Sequence, residues 1–234
     1  MSEYAAVILA AGYSSRMGAL KPLLPIAGVP AVRRVADTVM SAGVLPVVVT
    51  GHRAEDVAGA LSGSGAIVAE NKSYGDGMFS SVRAGIRALP PEARAFFLLP
   101  ADCCAVKAET LAALIREFSS VRGAPGGTGE RIIYPTFGGK RGHPPLLPGG
   151  FAPVLLGYGG EGGAKGCMES LPRAELSVPD GGILLDMDTP RAYAEMLRFT
   201  GSEPDMSDAA AAALPGKYDT PPEPWTPSFC ASRR

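Results

Sequence analysis

The stretch Val7-Ile-Leu-Ala-Ala-Gly-Tyr-Ser-Ser-Arg-Met-Gly-Ala-Leu-Lys-Pro-Leu-Leu-Pro25 decides the fold. It begins as an apolar run of strand length and breaks at Gly12 into a small, polar turn, as a buried strand does where it feeds a loop. Glycines at 12 and 18 are free to take backbone conformations closed to other residues, so the turn can converge N–H groups on an anion. Arg16 and Lys21 add two cations within nine residues of Gly12. An ordinary strand-to-helix turn accounts for the glycines but not for the cations beside them; a phosphate cradle with a charge clamp accounts for both. The spacing excludes a Walker loop, which needs four residues between its glycines and Lys-Ser or Lys-Thr directly after; here five intervene and Ala19 follows. Nor does the turn spell Gly-x-Gly-x-x-Gly.

Composition sets outer limits. At 234 residues, 46% hydrophobic and 19% charged, the chain suits one full-sized domain plus a tail. A formal net charge of −1 offers no general attraction to nucleic acid or an acidic membrane surface, so any polyanion it handles should be small and held locally. Met1 to Tyr4 lead straight into the first strand without a signal-peptide pattern, and no apolar run reaches the length of a membrane span, which predicts a cytoplasmic protein. The four cysteines, with Cys103 and Cys104 adjacent, show neither zinc-site spacing nor a disulfide framework and are expected to be free thiols.

Along the chain, strand-like and helix-like runs alternate. Apolar Val32, Val35, Ala36 and Val39 predict a helix over 31–42, stopped by Gly43. A valine-rich strand over 46–50, a helix over 53–61, a strand over 66–69 and a helix over 79–88 follow, the construction of a parallel sheet. Ala95-Phe-Phe-Leu-Leu-Pro100 has no polar residue and delivers Asp102 just past its end, into the crevice where open parallel sheets bind ligands. Asp102 could instead cap the helix expected over 105–118, but Glu109 and Thr110 already supply that first turn. Beyond 120 the texture changes. A strand over 132–135, a tight basic turn over 137–142 and a returning edge strand at 143–147 make an inserted β-hairpin. The glycine-rich 148–166 suits a mobile loop or lid, with a short helix after it. Strands over 175–179 and 182–188 and a helix from Thr189-Pro190 through Phe199 close the domain. This places a domain at 1–200 and a disordered tail or linker at 201–234, with an alanine run and a proline-rich stretch.

Taken together, Leu9-Ala-Ala-Gly-x-Ser-x-Arg-Met-Gly-x-x-Lys21-x-Leu-Leu-Pro25, Asn71 with Gly77-Met78-x-x-Ser81, Leu98-x-x-x-Asp102, Gly142-His143-Pro144 and Asp186-x-Asp-Thr-Pro190 resemble the MobA-like nucleotidyltransferases, and within them the cytidylyltransferases of the molybdenum cofactor. Where members of that family carry proline two residues after the aspartate, this chain has Cys103-Cys104 at the turn. The resemblance implies an α/β, Rossmann-like three-layer αβα nucleotidyltransferase fold of the nucleotide-diphospho-sugar transferase type, with a mostly parallel sheet. It implies that CMP passes from CTP to the phosphate of molybdopterin with release of pyrophosphate, in the presence of Mg²⁺. Arg16, Lys21 and Asp102 would be catalytic. Leu9, Ala10, Ala11, Gly12, Ser14, Ser15, Gly18, Gly51, Asn71 and Ser81 would bind nucleotide, and Asp102 with Asp188 or Asp186 would hold the metal. Lys140, Arg141, Gly142 and His143 would meet the pterin phosphate; otherwise His143 is a surface hairpin residue.

The Ala-Ala-Gly opening resembles the cytidylyl branch, and the Ala11 methyl would narrow the pocket against a purine. His52 is expected to begin a helix, and Cys103-Cys104 to pack beneath the metal loop. Partners would be an NTP, with CTP favoured, molybdopterin, and a molybdoenzyme client, with no nucleic acid and no membrane. A guanylyltransferase on molybdopterin, a cytidylyltransferase on a sugar or polyol phosphate, and a molybdopterin-binding chaperone are the alternatives.

Overall fold

The computed structural model describes residues 2–123 and 130–202. The expected tail at 203–234, and 124–129 of the glycine-rich stretch, lie outside the described residues, so the boundary at 200 is a proposal. In chain order the elements are β1 (Tyr4–Leu9), β2 (Pro25–Ile26), β3 (Val29–Pro30), α1 (Ala31–Ser41), β4 (Leu45–Thr50), α2 (Ala54–Ala60), β5 (Ile67–Glu70), α3 (Met78–Arg87), β6 (Ala95–Pro100), α4 (Ala108–Gly123), β7 (Ile132–Phe137), β8 (Lys140–Arg141), β9 (Leu146–Pro148), α5 (Ala152–Gly157), α6 (Gly163–Glu169), β10 (Arg173–Ser177) and α7 (Pro190–Phe199).

The main sheet runs β10-β7-β9-β6-β1-β4-β5, with β8 paired to β7. Its strands are parallel except β9, which runs against β6 and β7, and β8. Such a sheet is covered on both faces, which is why the strand sequences are continuously apolar. Period-two alternation splits them between two cores. Ala95, Phe97 and Leu99 of β6 pack with α1, α2, α4 and α7, whereas Phe96 and Leu98 pack with α3, α5 and α6. The three-layer αβα expectation therefore holds. α3 lies so close to the sheet that a Cβ at Gly85 would stand 2.2 Å from Val7 Cγ1, so only glycine fits there.

Chain order reverses at β1: β4 and β5 extend the sheet on one side and β6 lies on the other. Loops leaving β1 and β6 part at that point and open the crevice in which ligands of such sheets bind.

Three local expectations are corrected. The run 182–188 is no strand; Gly181–Leu184 is a 3-10 turn whose Gly182 N–H donates to Asp180 Oδ1 at 3.0 Å, and its Ile183 is buried by packing rather than pairing while Leu184 is exposed. A hairpin does form between β7 and β8, turning on Gly138 and Gly139 at φ 56° and 75°, but β9 is not an edge strand: it sits inside the sheet between β7 and β6. The expected loop at 148–166 contains α5 and the first residues of α6, so the short helix expected after it begins earlier, at Gly163. In addition, where no element was expected, β2 and β3 form a small separate hairpin, tied down by Tyr193 of α7, whose hydroxyl donates to the Pro25 carbonyl at 2.6 Å.

Candidate active site

The turn after β1 is held open by its own backbone. Ser14 and Gly18 take left-handed conformations at φ 57° and 67°, whereas Gly12 does not, so the conformational freedom expected at Gly12 is in fact used at Ser14. Serine pays for that conformation with a hydrogen bond: its Oγ accepts the Lys21 N–H at 3.0 Å, which fixes the start of the 3-10 turn Lys21–Leu23. Gly12 is glycine for neither packing nor backbone, since a Cβ there would meet no protein atom within 4 Å. The space beside it opens outward from the strand end.

Four charges from three distant segments meet next to this turn. Lys21 Nζ donates to Asp102 Oδ2 at 2.6 Å and to Asp188 Oδ1 at 2.7 Å, and Arg16 Nη2 donates to Asp188 Oδ2 at 3.0 Å. The side chains of Lys21, Asp102 and Asp188 are 18%, 11% and 23% exposed, so water screens their attraction only partly. Burial works against the Lys21 ammonium, but Asp102 and Asp188 more than offset it and hold its pKa above the ordinary value. Burial likewise opposes ionisation of Asp188, yet Lys21 and then Arg16 hold its carboxyl below the usual range. Both groups are therefore charged throughout the neutral range.

Asp102 is not a helix cap. That role falls to Asp180, whose Oδ2 accepts the Lys107 N–H at 3.0 Å and the Thr110 hydroxyl at 2.6 Å at the start of α4. Sequence reasoning missed Asp180 because it lies seventy residues away from the helix it serves. Asp186 Oδ1 accepts the Asp188 N–H at 3.0 Å and so shapes the loop that presents Asp188.

Two carboxylates that touch one ammonium can both touch another cation, and hard oxygen donors suit Mg²⁺ or Mn²⁺. Among the described residues no three His, Cys, Asp or Glu side chains gather as a metal site. A divalent ion here would thus take Asp102 and Asp188 from the protein and its other ligands from phosphate and water, which fits Mg²⁺ well.

The other expected residues are placed less directly. Ala10 and Ala11 are buried at the end of β1, where the Ala10 N–H donates to the Val49 carbonyl at 2.9 Å and the Ala11 carbonyl accepts the His52 N–H at 3.1 Å. The Ala11 methyl faces Gly51 and Tyr74; a Cβ at Gly51 would lie 2.8 Å from both. It therefore lies in packing behind the turn. Asn71 and Ser81 are buried and bound to each other, Nδ2 to Oγ at 3.0 Å, and Asn71 also takes the Ser73 N–H and donates to Ser80. They brace the loop between β5 and α3.

Gly142 packs so tightly on Ile183 that a Cβ would lie 2.3 Å from its carbonyl oxygen, and the His143 N–H donates to that oxygen at 2.9 Å. The Gly-His-Pro segment is thereby fastened to the segment that carries Asp186 and Asp188. Lys140 is exposed on β8, and Arg141 pairs with Glu175 and lies over the Tyr134 ring. Cys103 and Cys104 are buried free thiols, and burial pushes the Cys104 thiol up to about 12, which makes it inert. No helix among the described residues is long and apolar enough to cross a membrane.

Residues 6–176 match the model of the MobA-like NTP transferase domain. Rv0371c from Mycobacterium tuberculosis H37Rv superposes with a TM-score of 0.70 at 26% identity, over 84% of this chain and 98% of its own, and has also been solved as a complex with manganese. A nucleotidyl transferase from Methanothermobacter thermautotroptrophicus, Mth528, superposes with a TM-score of 0.71 at 23% identity, over 86% of this chain and 99% of its own. CMP:2-keto-3-deoxy-manno-octonic acid synthetase, complexed with CTP, shares the fold with a TM-score of 0.66 at 14% identity, over 86% of this chain and 99% of its own. Comparison with curated proteins gave no match.

Proposed function

The chain belongs to the MobA-like NTP transferase family and is a nucleotidyltransferase, and from that premise we propose that it transfers CMP from CTP to the phosphate of molybdopterin. In this reading an oxygen of the acceptor phosphate attacks the α-phosphorus of CTP. The bond from that phosphorus to the bridging oxygen of the β-phosphate breaks, and pyrophosphate leaves. The protein needs no covalent nucleophile; it must position two anions and stabilise charge on the in-line transition state.

The observation that carries the reading is the contact of Lys21 with both Asp102 and Asp188, beside Arg16 and the open side of Gly12. Arg16 would bind phosphate oxygens as a planar fork and Lys21 as a point charge, taking up negative charge as pyrophosphate departs. Mg²⁺ held by Asp102 and Asp188 would supply Lewis-acid neutralisation of the phosphates. Asp186 orients Asp188, and Gly142 and His143 steady the same loop through Ile183. Leu9, Ala10, Ala11, Ser15, Gly18, Gly51, Asn71 and Ser81 would shape the nucleotide side, and Lys140, Arg141 and His143 the acceptor side. The choice of CTP and molybdopterin rests on the likeness of the Ala-Ala-Gly, Gly-His-Pro and Asp-x-Asp-Thr-Pro segments to the cytidylyl branch.

Gly12 offers a direct check. Gly12→Ala should leave the melting temperature unchanged or slightly raised, because the methyl meets nothing and stiffens the unfolded chain. It should weaken CTP binding, because the methyl enters the space assigned to phosphate. Normal CTP affinity in calorimetric titration would move the phosphates away from Gly12.

Substrate choice is tested by pyrophosphate release with each of the four NTPs, with and without molybdopterin. Release should be fastest with CTP and should depend on molybdopterin. If GTP serves as well as CTP, the cytidylyl reading fails while nucleotidyl transfer stands. Release driven by a sugar or polyol phosphate in place of molybdopterin would reassign the acceptor.

A further inference from the structure

Three aromatic rings meet where the chain leaves three neighbouring strands: Tyr13 after β1, His52 after β4 and Tyr74 after β5. Ring centroids lie 5.0 Å apart for Tyr13 and His52, 5.4 Å for Tyr13 and Tyr74, and 6.3 Å for His52 and Tyr74. Two of the rings are held in place, His52 through its backbone and Tyr74 through its side chain. The His52 N–H is bonded to the Ala11 carbonyl, and Tyr74 closes over Gly51 so tightly that a Cβ there would lie 2.8 Å from Tyr74 Cβ and Cγ. Tyr13 leans on them from the tip of the turn and is 42% exposed.

Tyr13 and His52 belong to neither hydrophobic core of the sheet. The cluster does, however, lie on a particular side of the cradle. The charged group of Lys21, Asp102 and Asp188 reaches towards β6, while β4 and β5, which carry His52 and Tyr74, lie across β1 from it. The Gly-His-Pro segment is on the β6 side of β1 as well, next to β9. A nucleotide with its phosphates at Gly12 to Gly18, leaving the acceptor side free, must send its nucleoside half towards β4 and β5.

We propose that Tyr13, His52 and Tyr74 form the platform on which the base of the nucleoside triphosphate stacks, with the exposed Tyr13 ring as the contacting face. The proposal rests on the nucleotidyltransferase reading of the cradle. Every base has a π-face, so stacking of this kind supplies affinity without choosing among bases. Base choice then falls to hydrogen-bonding groups at the rim.

The test is calorimetric titration of the wild type, Tyr13→Phe and Tyr13→Ala with CTP, GTP and inorganic tripolyphosphate, each with Mn²⁺. Tyr13→Ala should weaken CTP and GTP alike, by roughly ten- to a hundredfold from the usual worth of one base–aromatic stack. Tyr13→Phe should stay within about twofold of wild type, because the ring rather than the hydroxyl is used. Tripolyphosphate should bind all three proteins equally. In steady state the alanine variant should show a raised KM for CTP with kcat unchanged, the pattern of a contact made equally in ground and transition states. Equal loss of tripolyphosphate binding would show that Tyr13 supports the turn and not the base, and would overturn the platform. So would a wild type that binds CTP no more tightly than tripolyphosphate, although the cradle would then survive. Binding of neither compound by the wild type would overturn both.

Discussion

Replacing Lys21 with alanine is expected to slow nucleotidyl transfer by roughly a hundredfold or more, since removing one preorganised charge from a developing anion typically costs ~3 kcal/mol. Lys21 is the only group that touches both Asp102 and Asp188 in the contacts described, and it rises from the same turn that is assigned to the phosphates. The substitution has a second consequence that a passive surface lysine would not produce. With its ammonium gone, Asp102 loses the cation it shared and Asp188 is left with Arg16 alone, so the two carboxylates are less well neutralised, and like charges close together disfavour joint ionisation. The variant should therefore melt lower than wild type without metal, and Mn²⁺ should both bind it more tightly and restore more of its melting temperature. Unchanged turnover would remove Lys21 from the chemistry. Weaker Mn²⁺ binding in the variant would show that Lys21 organises the carboxylates rather than standing between them.

Asp102→Asn should cost still more in rate, at least about a thousandfold, while perturbing stability little. A neutral amide keeps the shape and one acceptor for Lys21, but it is a poor ligand for a hard divalent ion and removes a charge from the reacting centre. Lys21 retains its bond to Asp188, so no cation is left buried and alone. We expect a loss of about 1 kcal/mol, which for a domain of this size lowers the melting temperature by roughly 2–4 °C. A collapse of stability with residual turnover would make Asp102 a structural residue. The opposite control is Asp180→Asn, which strikes a buried acceptor for Lys107 and Thr110 whose described hydrogen bonds do not reach the charged cluster. It should unsettle α4 and lower the melting temperature more than Asp102→Asn does.

Much of this was legible in the sequence because the informative signals are local. The continuous apolar runs of β1, β4 and β6, and the helical spacing of Val32, Val35 and Val39, dictate a parallel sheet under helices without knowledge of what pairs with what. Asp102 was legible from its place just past β6, and Arg16 and Lys21 from the turn after β1, where the carboxyl ends of strands face one crevice; Asp188 was reached through the resemblance of its Asp-x-Asp-Thr-Pro segment, since the strand expected before it does not form. What the sequence concealed was non-local. An apolar run such as Gly-Gly-Ile-Leu-Leu185 can be buried by pairing or by packing, and only the contact of Gly182 with Ala105, where a Cβ would lie 2.1 Å from the carbonyl oxygen, decides for packing. β9 looks like an edge strand by its prolines, yet Pro144 and Pro145 precede the paired residues and leave Leu146 and Leu147 free to enter the sheet. The aromatic cluster was hidden for the same reason: Tyr13, His52 and Tyr74 are singletons in three loops, and their meeting depends on the order of β1, β4 and β5. Asn71 and Ser81, ten residues apart, carry the motif but spend their side chains on each other.

The central claim, that nucleotidyl transfer is carried out between Asp102 and Asp188 with Lys21 and Arg16 on the phosphates, is tested most directly by anomalous diffraction from crystals grown with Mn²⁺ and a non-hydrolysable CTP analogue. We predict a single manganese peak bonded to oxygens of both Asp102 and Asp188, with Lys21 Nζ withdrawn from at least one of them and placed on a phosphate oxygen. A bound nucleotide whose metal lies away from both aspartates, with the Lys21 contacts to Asp102 and Asp188 intact, would contradict it.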